Sequence, residues 1–350
     1  MVKSLRRGTR LNLALQGGGA HGAFTWGVLD RLLEEQRLEF TCVSGTSAGA
    51  INAVAMAAGF IEDGRTGAKQ RLAAVWGAIE SAGVPEFMRG VARMSMAQIM
   101  SVFSPYDFNP LNFDPLRKLL DQHIDFERIR AAAPFELLIA ATEAASGRAR
   151  LFRSKEMTVE AVLASACLPS LHRAVEIGGV HYWDGGFSAN PDLVTLAGGG
   201  FAGDTLLVQL MPVRRDEVPT RARDIAGQVN LITFNQPLMR DVAMIAEIKS
   251  RGRLALWGAA PERKRIARHR FHLIEAAPHT AHLSHETMGE PDAGLLTYLR
   301  DAGRQEAEQW LEAHARQIGR RSSTDLVAKF ALNSKARAAL KSLAAPHPAS

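Results

Sequence analysis

Residues 45–49 read Gly-Thr-Ser-Ala-Gly, a Gly-x-Ser-x-Gly pattern centred on Ser47. An apolar run ends just before this pattern, and a stretch of small residues with helical spacing follows it. A serine on such a sharp strand-to-helix turn projects its hydroxyl away from the chain, and small neighbours leave room for a substrate. The helix N-terminus also favours developing negative charge. The pattern therefore predicts that Ser47 is a nucleophile, supported by the small residues Gly45 and Gly49.

A glycine-rich turn earlier in the chain predicts donors for an oxyanion. Gly17, Gly18 and Gly19 follow the apolar run at residues 11–16, and a helix begins near Gly22. Because these glycines lack side chains, a carbonyl oxygen can approach consecutive backbone N–H groups. The same turn fits the Gly-x-Gly-x-x-Gly dinucleotide pattern, which needs an acidic residue at the end of the next strand. That strand ends in the Ser47 turn instead, which favours a hydrolase over a nucleotide-binding protein.

The residues alone leave open which group takes the proton from the serine. Asp184 ends an extended segment and precedes Gly185 and Gly186, which would expose its carboxylate at the carboxyl edge of a sheet. Burial would raise its pKa and make it a usable base, whereas in an ordinary Asp-Gly-Gly turn it would only stabilise the turn. A Ser-His-Asp triad is the alternative. The histidines considered for it are His21, His172, His181, His279, His282 and His285.

The elements that must position these residues follow from the hydrophobic pattern. Extended apolar runs and intervening stretches with helical spacing alternate from residue 11 to residue 275, and the chain reads as helical after residue 294. This alternation predicts an α/β fold with a mainly parallel sheet covered by helices on both faces. His279, His282 and His285 are spaced by three residues and fit a polar surface better than a metal site.

Composition and charge narrow the class of protein. The chain has 350 residues, of which 47% are hydrophobic, and a net charge of +6. Its two cysteines, Cys42 and Cys167, lie among apolar or small residues, which predicts reduced thiols in a reducing, cytoplasmic compartment. We find no signal-peptide pattern and no apolar run near the roughly 18 residues that a spanning helix needs. Solvated faces explain the basic clusters better than nucleic-acid binding does, so no nucleic-acid partner is expected.

Four blocks, in this order, resemble the patatin-like phospholipases. They are the glycine-rich turn ending at Gly22, the pentapeptide around Ser47, the Ala-Ser pair at Ser165 that precedes Pro169, and Asp184 with its two glycines. The resemblance implies a three-layer α/β/α catalytic domain over residues 11–211, and residues 212–350 then form a helix-rich C-terminal extension.

The resemblance also implies roles for individual residues. Ser47 would be the nucleophile and Asp184 the general base, without a catalytic histidine and without a metal or cofactor. The N–H groups of the three glycines before Ala20 would bind the oxyanion. Many bacterial members carry arginine before the last glycine of that block, where this chain has His21. No role of that arginine can be transferred, so the implied substrate is an acyl ester of a lipid rather than a glycerophospholipid in particular.

The expected function is therefore a phospholipase A or lipid acyl hydrolase. An esterase or thioesterase acting on a soluble or polymeric acyl ester is one alternative, and a catalytically inactive lipid-binding or scaffold protein is another. Peripheral membrane contact is expected through the Met-rich segment at residues 84–113 and the basic amphipathic stretch at residues 324–343. A Met-rich core helix and a solvated basic face are the alternatives for these two segments.

Overall fold

The computed structural model describes residues 8–82, 104–109, 114–214, 218–251, 258–280, 283, 285–288 and 291–330. Most of the Met-rich segment and most of the basic C-terminal stretch lie outside these residues, so the membrane contacts expected of them stay predictions. His282 and the side chain of His285 also lie outside the described residues, so the polar surface expected there stays a prediction.

Eight strands form one central sheet. They are β1 (Thr9–Leu15), β2 (Leu38–Gly45), β3 (Glu136–Glu143), β4 (Ala149–Arg153), β5 (Val175–Ile177), β6 (Val180–Asp184), β7 (Asp204–Gln209) and β8 (Arg270–Glu275). Their order is β5-β6-β3-β2-β1-β7-β8. Strands β2 and β6 pair with successive stretches of one edge of β3, and β4 pairs with the other edge. The strands from β3 through β2, β1 and β7 to β8 are parallel, and the β3–β4, β3–β6 and β5–β6 pairs are antiparallel. The predicted mainly parallel sheet is confirmed.

Helices cover both faces of this sheet. Those of the described chain are α1 (Gly22–Leu32), α2 (Ala48–Ala82), α3 (Pro105–Phe108), α4 (Pro115–His123), α5 (Phe126–Ala132), α6 (Val159–Ser165), α7 (Leu193–Gly198), α8 (Ala222–Ser250), α9 (Pro261–Arg268), α10 (Ala277–Thr280), α11 (Ala293–His314) and α12 (Leu326–Phe330). One apolar core lies between the sheet and α1, α2 and α11, and a second lies between the sheet and α7, α8 and α12. The molecule is thus a three-layer α/β/α fold.

Two helical predictions differ in detail from the structure. The sequence predicts separate helices over residues 50–58 and 68–81. The structure joins them into α2, which is interrupted only at Asp63 and Gly64, where the backbone leaves helical geometry. The C-terminal region is not helical throughout, because residues 318–325 form turns and bends between α11 and α12. This turn region begins next to Gly319, whose backbone φ of 77° does not fit a right-handed helix.

One edge of β3 brings two distant parts of the chain together. The end of β2 pairs with this edge, where Gly45 lies opposite Ile139. Two residues further along, β6 continues on the same edge, and Asp184 lies opposite Ala141. The other edge of β3 is occupied by β4. The turn after β2 and the end of β6 therefore meet at one place in the sheet.

Candidate active site

The turn between β2 and α2 holds Ser47 in a strained conformation. Its φ of 54° makes it the one non-glycine residue with positive φ in the described part of the chain. The flanking glycines allow this turn, because a Cβ on Gly49 would lie 2.2 Å from the carbonyl oxygen of Leu15. A Cβ on Gly45 would lie 2.5 Å from the carbonyl oxygen of Gly49. The Ser47 side chain is half-buried at the start of α2, as the pentapeptide predicts.

The end of α6 holds both halves of the candidate site. The Ser47 N–H donates to Oγ of Ser165 at 3.0 Å, and the Asp184 N–H donates to the carbonyl oxygen of Cys167 at 2.8 Å. Ser165 is fully buried. The Ala-Ser block of the sequence therefore positions the Ser47 turn and the end of β6 relative to each other.

The Asp184 carboxylate is fully buried beside Ser47. Its Oδ1 accepts a hydrogen bond from the Gly186 N–H at 2.7 Å, whereas its Oδ2 has no full hydrogen bond among the described residues. Burial raises the pKa of this carboxyl to about 7, although the Gly186 N–H and the Ser47 hydroxyl act in the opposite direction. Catalytic hydrogen bonds are often long before substrate binds, so this arrangement suits a base facing a serine.

Hydrogen bonds connect the loop after β6 to the sheet and to the turn after β2. Oγ1 of Thr142 donates to the Asp184 carbonyl oxygen at 2.8 Å, and Oγ1 of Thr46 donates to the Ala189 carbonyl oxygen at 2.7 Å. Close packing at Gly185 and Gly186 also holds this loop in place. A Cβ on Gly185 would lie 2.2 Å from the Ala140 carbonyl oxygen, and one on Gly186 would overlap the Phe234 ring.

The glycine-rich turn lies directly against Ser47. A Cβ on Gly17 would be 2.9 Å from Cβ of Ser47. The Gly17 N–H is already engaged, because it donates to Oδ1 of the buried Asn190 at 2.8 Å. Of the three predicted oxyanion donors, Gly18 and Gly19 are the two whose N–H groups have no hydrogen bond within the described chain. Gly22 brings α1 close to α2, since its Cβ would lie 2.6 Å from that of Ala48.

Comparison with known proteins bears on this arrangement. Residues 13–197, more than half of the chain, match the family described as Patatin-like phospholipase. The chain belongs to this family. All four sequence blocks lie inside the matched range. As a patatin-like phospholipase, the protein is a lipid-hydrolysing enzyme.

Individual relatives of this patatin-like phospholipase are distant. The uncharacterized protein YjjU of Escherichia coli (strain K12) is 25% identical over 283 residues, which cover 72% of this chain and 68% of YjjU. The crystal structure of VipD from Legionella pneumophila has a TM-score of 0.45 and 15% identity, covering 95% of this chain and 73% of that chain. The ExoU–SpcU complex of Pseudomonas aeruginosa has a TM-score of 0.32 and 16% identity, covering 90% and 78%.

Three of the six histidines considered as bases have other partners in this patatin-like phospholipase. His181 is exposed and lies 3.8 Å from the carboxylate of Glu176. Nε2 of His279 lies 2.8 Å from Oε1 of Glu306. Nε2 of His21 contacts Oγ1 of Thr287 at 2.8 Å, so this residue links the oxyanion turn to residues 285–288. Burial lowers the pKa of His172.

A Ser-His-Asp chain does occur, but at the opposite edge of the sheet and without Ser47. Nδ1 of His272 lies 2.9 Å from Oγ of Ser323, and its Nε2 lies 3.1 Å from Oδ1 of Asp204. Asp204 begins β7, whereas the candidate site lies where the parallel strands end. Although burial opposes it, hydrogen bonds from His272 and Arg270 lower the pKa of Asp204 to about 2. We interpret this chain as a link that fixes the turns after α11 to the sheet.

Other potential reactive groups are accounted for in the described chain. Cys42 and Cys167 are buried free thiols, and burial raises the pKa of Cys167 to about 12. Among the described residues, no group of three or more His, Cys, Asp or Glu side chains is arranged to hold a metal ion. The helices in the described ranges include none that is long and apolar enough to cross a membrane.

Sequence reasoning missed two residues of the site. Asn190 binds the Gly17 N–H from a position 173 residues away in the chain. Phe234 of α8 lies against Gly186, and its carbonyl oxygen accepts from Nδ2 of Asn190 at 3.0 Å. The Asn-Pro pair that follows the Asp-Gly-Gly block was a signal for a turn, but nothing local links it to the first glycine block.

Proposed function

We propose that this protein is a serine acyl hydrolase that cleaves fatty-acyl ester bonds of lipids through a Ser47–Asp184 dyad. The observation that carries the proposal is the buried Asp184 carboxylate beside a serine on a strained strand-to-helix turn. A carboxylate with a pKa near neutrality is matched to taking a proton from a hydroxyl at physiological pH. The family assignment supports a lipid as the substrate.

The first half of the reaction forms an acyl-enzyme. Asp184 takes the proton from the Ser47 hydroxyl as Oγ attacks the ester carbonyl carbon. The carbonyl oxygen becomes an oxyanion and accepts hydrogen bonds from the N–H groups of Gly18 and Gly19. Each such donor contributes about 3–4 kcal/mol to transition-state stabilisation. The tetrahedral intermediate then collapses, and the departing alcohol or lysolipid takes the proton from Asp184.

The second half releases the fatty acid. Asp184 takes a proton from water, and the resulting hydroxide attacks the acyl carbon of the Ser47 ester. The oxyanion again accepts from the glycine-rich turn. Collapse of this intermediate breaks the bond to Oγ, Ser47 regains its proton from Asp184, and the fatty acid leaves.

Ester turnover by three variants tests the dyad. We expect Ser47→Ala and Asp184→Asn each to lower kcat for a p-nitrophenyl acyl ester by about 10³-fold or more, since each removes one member of a unit. Ser323→Ala is the matched control, because its hydroxyl also contacts a titratable group but lies at the opposite edge of the sheet. Near-wild-type turnover by Ser47→Ala or Asp184→Asn would refute the dyad.

Two further measurements separate the alternatives. Labelling of Ser47 by a fluorophosphonate probe is expected, and a folded protein that resists the probe would indicate an inactive scaffold instead. Turnover of phospholipid vesicles is compared with that of a soluble short-chain ester. A preference for the soluble ester at equal acyl concentration would favour an esterase or thioesterase over a lipid hydrolase.

A further inference from the structure

One side of α8 presents apolar side chains to solvent. Ile225, Val229 and Ile232 recur at spacings of four and three residues, so they lie along one side of the helix. Their exposed fractions are 45%, 56% and 48%. Another side of the same stretch is already packed, because Gly227 and Leu231, four residues apart, are buried. These three exposed residues, which we call the α8 ridge, are therefore a second apolar face and not the core face of the helix.

The helix that carries the α8 ridge also contacts the candidate active site. Phe234 follows Ile232 by two residues and therefore lies on the other side of the helix. It packs there against Gly186, and its ring centroid is 4.9 Å from that of Phe187. Oδ1 of Asn235 accepts from Nε2 of Gln16 at 3.1 Å, which joins the helix to the residue before the oxyanion turn. The helix that carries the ridge therefore contacts both the Asp184 loop and the end of β1.

Basic residues lie at both ends of the α8 ridge. Arg221 is exposed immediately before the helix. Arg240 is exposed two turns after Ile232, and its Nη2 donates to the Ser188 carbonyl oxygen at 2.8 Å. The chain as a whole carries a net charge of +6. Branched apolar side chains flanked by arginines are the pattern of helices that lie in a membrane interface, where the apolar residues enter the headgroup region and the cations meet anionic lipids.

We infer that the α8 ridge docks this protein on anionic phospholipid membranes. This inference rests on the proposed function, since it assigns the surface through which a lipid ester reaches Ser47. The ridge enters the headgroup layer along one side of α8, and Arg221 and Arg240 contact the anionic headgroups. Docking in this way brings the membrane to the helix that contacts both the Asp184 loop and the end of β1.

Vesicle flotation tests the docking surface without requiring turnover. Binding to vesicles of equal parts phosphatidylcholine and phosphatidylglycerol is measured in a Ser47→Ala background, so that the lipids stay intact. We expect Val229→Glu to lower the partition coefficient by about tenfold. Met244→Glu is the matched control, because Met244 lies on the same helix with 47% exposure but outside the ridge. It is expected to bind like its parent.

A second variant reports insertion directly. Val229→Trp is expected to strengthen vesicle binding, and its fluorescence, obtained as the difference from the parent, is expected to shift to shorter wavelength with vesicles. With active enzyme, the ratio of vesicle turnover to soluble-ester turnover is expected to fall in Val229→Glu and to stay unchanged in Met244→Glu. The ratio corrects for any general loss of activity.

Two outcomes would overturn the inference. Equal flotation of Val229→Glu and Met244→Glu would show that the ridge does not contact lipid. A dimer by size exclusion that becomes a monomer in Val229→Glu would show that a second copy of the chain covers the ridge. If the Ser47–Asp184 dyad proposal fails, the flotation result still stands, because flotation measures binding and not catalysis.

Discussion

At the scale of single residues, the environment of Asp184 decides what chemistry is available. An aspartate in water has too low a pKa to remove a proton from serine efficiently, whereas the buried Asp184 carboxyl has its pKa raised to about 7. The sequence predicted the position of this carboxylate at a strand end, but it could not choose between Asp184 and a histidine. That choice depends on burial and on pairing along β3, which only the folded chain supplies.

The raised pKa of Asp184 predicts the pH dependence of ester hydrolysis. The carboxylate form is the base, so kcat/KM should rise with pH, pass its midpoint near pH 7 and then level off. A soluble ester measured from pH 5 to pH 9 reports this value for the free enzyme. A profile that is flat across pH 6–8 would contradict the assignment of Asp184 as the titrating base.

The same pKa predicts that Asp184 lowers stability at alkaline pH. Because its folded-state pKa is raised from 3.8 to about 7, the folded protein loses stability as pH rises between these values. Asp184→Asn should therefore raise Tm at pH 8 and raise it by less at pH 5. Asp204→Asn is the opposite control, since partners lower the pKa of Asp204 to about 2. That variant should lower Tm at pH 8, and an equal Tm gain in both would contradict the argument.

At the scale of elements, the end of α6 is the part that relates the proposed nucleophile Ser47 to the proposed base Asp184. Ser165 accepts the Ser47 N–H, and two residues later Cys167 accepts the Asp184 N–H. Ser165 was recognised in the sequence as a motif residue. Its hydrogen bond to the Ser47 N–H could not be predicted, because the two residues lie 118 positions apart in the chain. Short-range patterns locate turns and strands, whereas hydrogen bonds between distant segments follow from the sheet order.

Removing the Ser165 hydroxyl should weaken catalysis by displacing Ser47. Ser165→Ala leaves a Ser47 N–H without its acceptor, and a shift of about 1 Å in a reacting group costs on the order of 100-fold in rate. We expect kcat and the fluorophosphonate labelling rate to fall by roughly 10- to 100-fold. KM is expected to change by less than about twofold.

Ser154→Ala is the matched control for Ser165→Ala. Oγ of the buried Ser154 also accepts a backbone N–H, that of Leu137 at 2.8 Å, but at the start of β3 away from the site. Its kcat is expected to stay near that of the parent at temperatures where both variants are folded. If both variants lose the same activity, the effect of Ser165→Ala is general destabilisation.

At the scale of the whole molecule, residues after 211 complete the layers around the catalytic part. Strand β8 pairs with β7 in the central sheet, and α11 packs tightly on α1. The two helices approach so closely that a Cβ on Gly303 would lie 2.0 Å from the Phe24 carbonyl oxygen. Apolar periodicity predicted both elements, but not that α11 returns to cover the first helix of the chain. The domain boundary at residue 211 stays a prediction.

Truncation tests whether residues 1–211 fold alone. Removal of β8 and α11 would expose the edge of β7 and the apolar face of α1, so we expect this fragment to aggregate or to unfold without a cooperative transition. A chain ending at residue 330 keeps both elements and is the control, expected to unfold cooperatively. A soluble 1–211 fragment with a sharp thermal transition would instead establish an autonomous catalytic domain.

The shared edge of β3 also determines when a newly made chain acquires the proposed catalytic pair. Ser47 leaves the ribosome long before Asp184, by roughly 7–27 s at usual rates of synthesis. Until β6 has been made and has joined β3 beyond β2, the serine has no base beside it. Under the proposed mechanism, nascent chains are therefore inert toward membrane lipids until β6 has joined the sheet.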